Sequence, residues 1–263
     1  MIYSIITINY NNKEGLRTTI ESVINQTYID FEYIIIDGGS TDGSVDVIHQ
    51  YNEKINYWVS EKDNGIYHAM NKGTKQAQGD YCIFMNSGDC FYDNNTLEIV
   101  AEQDCKEDIY VGKVFSQKDG QIISPPPSRE ISLYHLYSGA IPHQGAFIKT
   151  GLLRKYPYDE TLKISSDWKF FLQTIIIDNC TFKYIDSFVT KYDLEGISSS
   201  NPEKMRYEKE QVLAEIFPAR VLADYRFMKV SECLTQTLTP QLRIRYSIDK
   251  LLFKLGSLLL KIL

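Results

Sequence analysis

The sequence predicts an α/β protein, a mostly parallel sheet flanked by helices, followed by a C-terminal helical extension. Two observations carry that prediction. Over residues 1–105, short runs rich in β-branched and aromatic residues alternate with stretches of helical spacing. The strand-like runs are continuously apolar, as strands buried on both faces are.

The elements follow in order. Residues 2–9 (IYSIITIN) read as a strand, and 13–26 as a helix with Leu16, Ile20, Val23 and Ile24 on one face. Residues 33–36 form the second strand, with GGSTDGS as its turn and a helix near 43–51. A short strand at 57–59, a helix over 65–78 and a strand at 81–85 come next, then a helix over 94–102. Residues 108–124 read as a hairpin that Pro125–Pro127 break. A helix is expected near 164–177 and a strand over 181–192. Helices over 203–217 and 219–238 are interrupted by Pro218, and a last helix follows Pro240.

Composition narrows the function classes. Lys plus Arg is 28 against 34 Asp plus Glu, a net charge of −6, which disfavours a nucleic-acid partner. Five cysteines, odd in number and without a C-x-x-C, read as free thiols in a reducing cytosol. The N-terminal stretch lacks the basic region and cleavage site of a signal peptide, and no apolar run is long enough for a membrane span.

Ligands of a parallel sheet bind beyond the carboxyl ends of its strands. Those ends are polar here: Asn9, Tyr10 and Asn11 after the first strand, Asp37 after the second, Glu61 and Asp63 after the third, and Asn86, Ser87, Gly88 and Asp89 after the fourth. The first turn, NYNNKEG, lacks the glycines of a dinucleotide site, and no phosphate-cradling P-loop occurs. Asp37 either caps its turn or accepts a hydrogen bond from a base or ribose. Asp42 and Ser44 are the better caps, which leaves Asp37 freer for function. Asp89 in NSGD is either part of a polar turn or one carboxylate of a magnesium or manganese site. Lys72 either lies on a capped surface helix or offers charge to an anion.

Together these segments resemble the family-two glycosyltransferases. The matching text is SIITINYNN, ESVINQTYIDFEYIIIDGGSTDGS, SEKDNGIYHAMNKGTKQAQGDYCIFMNSGD, HQGAFI, ISSDWKFFLQTI and GISS, over about residues 1–200. The resemblance implies a Rossmann-like GT-A fold. Its nucleotide-binding half is 1–105, its acceptor half 106–200, and 201–263 is the extension. It implies an inverting hexosyltransferase that moves one sugar from a nucleotide-diphosphate sugar, of the UDP type, to a glycan or polyprenyl-linked acceptor in bacterial surface polysaccharide synthesis. Thr7, Asn9, Tyr10 and Ser87 would line the nucleotide pocket, Asp37 would hold the base, Asp63 and Lys72 would lie near the nucleotide and phosphates, and Asn86 would contact the ribose. Asp89 would bind a divalent cation (Mn2+ or Mg2+), and Asp167 would be the general base. Glu61, His143 and Trp168 are candidates for the acceptor or phosphate side, Trp168 by stacking on a sugar or by packing in the core.

Several residues depart from the family pattern. Asn86 and Gly88 stand where many relatives have acids, Gly38 replaces a frequent second acid, and Glu195 stands where glycine is common. The loss at 86 and 88 leaves room for a non-catalytic, nucleotide- or sugar-binding relative. A nucleotidyltransferase would share the sheet and the acids but needs a basic, glycine-rich first loop, which is missing.

The last segment, residues 241–263, is basic. Arg243, Lys250, Lys254 and Lys261 fall within a strip about 40° wide beside a broad apolar face. That face suits an anionic membrane surface on the cytoplasmic side, or the enzyme's own domain, or a second copy in a homodimer.

Overall fold

The computed structural model describes residues 2–104, 106–116, 120–123, 131–192 and 201–237. The segment GISS and the basic segment 241–263 lie outside the described residues. Two compact units divide between Glu210 and Gln211.

The first unit is built on one sheet. Its first half comprises β1 (Tyr3–Asn9), β2 (Phe31–Asp37), β3 (Tyr57–Ser60) and β4 (Tyr81–Phe84), linked through α1 (Lys13–Ile24), α2 (Ser44–Gln50) and α3 (Ile66–Gln76). These strands run parallel in the order β3-β2-β1-β4. The second half adds β5 (Cys90–Phe91), α4 (Thr96–Ala101), β6 (Ile109–Ser116), β7 (Ile122–Ile123), α5 (Leu133–Ser138), β8 (Ala146–Lys149) and α6 (Thr150–Lys155). It ends with α7 (Ser166–Phe171), which runs on as a π-turn to Ile177, and β9 (Phe182–Tyr192). The sheet continues β4-β8-β6-β9-β5, with β7 on β6. The expected hairpin is the β6–β7 pair, Val114 opposite Ile123 and Phe115 opposite Ile122. The helices α8 (Pro202–Ile216) and α9 (Ala219–Thr237) match the two expected on either side of Pro218. The short strands β5 and β8 and the helices α5 and α6 were not expected.

Every residue of β1 is buried, which is why its sequence does not alternate. One face, with Tyr3 and Ile5, packs on Leu16, Ile20 and Val23 of α1. The other meets α3, whose backbone comes so close that a Cβ on Gly73 would overlap Ile6 Cγ2. This contact sets α3 tightly on the sheet and so fixes the loop at its N-terminus over the strand ends.

In the second unit, Val221, Phe227, Met228 and Val230 of α9 are exposed. No helix among the described residues is long and apolar enough to cross a membrane.

The Gly73 contact predicts a sign. Alanine in a helix interior normally gains about 1 kcal/mol over glycine. Here Gly73→Ala should instead lower unfolding free energy, by about 1–3 kcal/mol, because the methyl group has no room. Urea denaturation of the two proteins measures it, and a stabilised variant would contradict the packing.

Candidate active site

The carboxyl ends of β1, β2 and β3 are knotted around Asp37. Its side chain is fully buried. Oδ1 accepts from Asn9 Nδ2 at 2.7 Å and Ser40 Oγ at 2.6 Å. Oδ2 accepts from Ser60 Oγ at 2.6 Å, Ser40 N at 2.9 Å and Gly39 N at 3.2 Å. Burial disfavours the carboxylate, but the bonds from Ser40, Ser60 and Asn9 outweigh it and hold its pKa below the ordinary value. This corrects the expectation that Asp37 is freer for function. Asp42 stands one residue before the Gly43 N-cap of α2 and accepts from Ser44 N at 3.0 Å, yet Asp37 is consumed by the preceding turn as well. Thr7 is also displaced from the expected site. It is fully buried within β1, with its hydroxyl 3.0 Å from Tyr33 OH.

Asn9 extends the knot to β4, since its Oδ1 accepts from Ser87 Oγ at 2.7 Å. Tyr10 is 67% exposed at the lip of the crevice. Asp63 lies over the Gly38 turn, its Oδ1 accepting from Gly65 N at 2.9 Å. Lys72 Nζ pairs with Glu61 Oε1 at 2.8 Å, so those two candidates neutralise each other.

A cavity of about 720 Å3 opens beside these strand ends. Asn86, Ser87, Asp89, His143, Asp167 and Trp168 all border it, six of the residues singled out from sequence. Asp167, in the first turn of α7, has 19% of its side chain exposed and His143 15%. Asp167 Oδ2 lies 2.9 Å from His143 Nδ1, and Oδ1 accepts from Tyr67 OH at 3.0 Å. Burial opposes both charges, but the mutual hydrogen bond and attraction win. The Asp167 carboxyl is held below its ordinary pKa and the His143 imidazole above its own. His143 Nε2 lies 3.3 Å from Asn86 Nδ2, while Asn86 Oδ1 is buried without a partner. Turning that amide over gives Oδ1 the Nε2–H of a protonated ring.

Trp168 is not a stacking platform. It is 2% exposed, its Nε1 donates to Leu136 O at 2.8 Å, and Lys209 Nζ lies 4.9 Å over its ring. It anchors α7 to α5 instead.

Two supports escaped the sequence reading. Tyr67, in the first turn of α3, reads as an ordinary core aromatic. Glu208, in α8, is buried and accepts from the backbone N–H groups of Lys163, Ile164 and Ser165 at 2.9–3.0 Å. It thereby fixes the loop that delivers Asp167.

A divalent cation has limited protein ligation here. Among the described residues no group of three or more His, Cys, Asp or Glu side chains could hold a metal. Asp89 supplies one carboxylate at the cavity wall, with Asn86 Oδ1 given over to His143 once its amide is turned. That single carboxylate fits a hard cation that draws its other ligands from phosphate and water.

A family model described as Glycosyl transferase family 2 matches residues 4–170. The chain is 31% identical over 206 residues to an uncharacterised glycosyltransferase of Mycobacterium tuberculosis, covering 74% of this chain and 76% of that protein. It is 26% identical over 212 residues to a PGL/p-HBAD biosynthesis glycosyltransferase of Mycobacterium bovis, covering 77% and 81%. Among solved structures it resembles Staphylococcus aureus TarS 1-349 in complex with UDP-GlcNAc, with a TM-score of 0.68 at 21% identity, covering 82% of this chain and 66% of that one. It also resembles a mannosyltransferase of Pyrobaculum calidifontis in complex with GDP-Man and Mn2+, with a TM-score of 0.61 at 16% identity, covering 81% and 63%. The chain thus spans less than two-thirds of each of these two solved proteins. The curled sheet, the crevice at its strand ends and these matches lead to one conclusion: the chain belongs to glycosyltransferase family 2 and is a glycosyltransferase with the GT-A fold.

Proposed function

We propose that this enzyme moves a single sugar, with inversion, from a nucleotide-diphosphate sugar of the UDP class to an acceptor hydroxyl. The acceptor is a growing glycan or a polyprenyl-linked glycan in surface polysaccharide assembly. Asp167 carries the reading. It is an ionised carboxylate on the wall of the cavity, held by His143, Tyr67 and the Trp168 backbone. The UDP-GlcNAc complex of the TarS neighbour supports the donor class. A teichuronic acid biosynthesis glycosyltransferase of Bacillus subtilis, 34% identical over 110 residues, supports the acceptor class.

The acceptor hydroxyl gives its proton to Asp167 while its oxygen bonds to the anomeric carbon. The bond to the diphosphate breaks on the opposite face, and its electron pair leaves with the phosphate oxygen. Tyr67 and His143 hold Asp167 in place and keep it ionised before it accepts the proton. Asn9, Asn86 and Ser87 edge the donor side at the ends of β1 and β4. Mn2+ or Mg2+, held by Asp89, would offset charge on the diphosphate. The basic segment 241–263 would bring the enzyme to the cytoplasmic face of an anionic membrane, where a polyprenyl-linked acceptor lies.

Two tests follow. Asp167→Asn should cut sugar transfer by about 10²–10⁴-fold. UDP affinity, measured by calorimetry, should stay the same. A variant with undiminished transfer would remove Asp167 from the role of base. The second test is stability against pH. The raised pKa of His143 contributes stability that is complete below about pH 6.5 and fades as pH rises through the folded value. The lowered pKa of Asp167 contributes stability that fades only as pH falls below about 3.8. His143→Gln should therefore lower Tm most between about pH 4 and 6.5, with the gap narrowing at higher pH. A gap that does not change with pH would mean that the pair is uncharged.

A further inference from the structure

A base-reading carboxylate must face the crevice, and Asp37 does not. It is fully buried, and five donors already fill it. The space over the same turn is taken by another acid. A Cβ built on Gly38 would lie 2.7 Å from Asp63 Oδ2 and 3.2 Å from Tyr10 Cδ2. The Gly38 backbone is nonetheless buried, covered from above by these two side chains. Asp63 commits Oδ1 to Gly65 N and turns Oδ2 toward Gly38. A bare glycine, an open aromatic ring and a carboxylate oxygen therefore meet at one point beyond β1 and β2.

Each part has a chemical use. An exposed aromatic face stacks on any nucleobase. A carboxylate accepts but does not donate, so it discriminates among bases. Uracil, thymine and guanine present a ring N–H on their pairing edge. Cytosine and adenine present a lone pair there, which a carboxylate repels. We infer that Asp63, reaching across Gly38, is the carboxylate that reads the nucleobase of the donor and selects bases with a ring N–H. This rests on the nucleotide-sugar reading above and moves base recognition from Asp37 to Asp63. Gly38 is then a requirement of specificity: its missing side chain is the space that Asp63 Oδ2 occupies.

Equilibrium binding of UDP, GDP and CDP to the full chain tests it, with circular dichroism as the check on folding. The wild type should favour UDP or GDP over CDP by about tenfold or more, the scale of one hydrogen bond to a charged group. Asp63→Asn keeps an oxygen for Gly65 N and should lose that preference. Gly38→Ala should weaken it as well. The Gly38 φ is not left-handed, so alanine suits the backbone while its methyl displaces Oδ2. The double variant Gly38→Asp with Asp63→Gly returns a carboxylate to the same volume and should recover the preference. If Asp63→Asn keeps the wild-type ratio, Asp63 does not read the base. If the wild type binds none of the three nucleotides, the nucleotide-sugar reading itself fails, and this assignment with it.

Discussion

The site depends on one buried charge. Asp37 gathers donors from Asn9 after β1, from Gly39 and Ser40 after β2, and from Ser60 at the end of β3. An unpaired carboxylate at this depth would be strongly disfavoured, and five hydrogen bonds reverse that. Asn9 passes the tie to Ser87 after β4. Four strand ends that would otherwise fray into independent loops are thereby held in one polar network. Tyr10, Asp63 and the turn that carries Asn86 and Asp89 are positioned by that network.

The far wall of the cavity is built differently. Asp167 comes from α7, His143 from the turn before β8, and Tyr67 from the first turn of α3. No backbone ladder joins these elements, so side chains must. Glu208 captures three consecutive backbone N–H groups ahead of α7. Trp168 ties the same helix to Leu136. The close fit of α3 on β1 at Gly73 sets the helix that carries Tyr67. The carboxylate is thus positioned by packing and side-chain bonds, where the strand-end residues are positioned by the sheet.

How much was legible follows from that difference. Strands β1, β2 and β4 were readable because burial on both faces leaves a continuous apolar run, β3 because of its aromatic and β-branched residues, and the helices because amphipathic helices leave a stripe. Asn86 and Asp89 could be picked out because strand ends are where polar residues meet ligands, whereas His143 and Asp167 stood out only through the family resemblance. The role of Asp37 could not be read. An acid before GGSTD has the same spelling whether it faces a base or saturates its own turn, and only the positions of Ser60 and Asn9 decide. Tyr67 spells a core aromatic. Glu208 lies 41 positions from Asp167 in a polar helix, and nothing local marks it as a partner of residues 163–165. Strands as short as β5 and β8 carry too few residues for a period to register.

The amide at position 86 is explained by the pair across the cavity. His143 presents Nδ1 to Asp167 and Nε2 to Asn86. A carboxylate at 86 would compete with Asp167 for the same imidazolium, and the two acids would share one cation in a half-buried wall. Asp167 would then lose part of the attraction that offsets its burial and keeps it ionised. The amide satisfies Nε2 without a charge and leaves Asp167 as the carboxylate hydrogen-bonded to the imidazolium, with Asp89 adding a weaker attraction. The missing acid of the metal motif is therefore tied to the environment of the proposed base. A cation at the proposed Asp89 site would then find one carboxylate, while the charge of the Asp167–His143 pair is preserved.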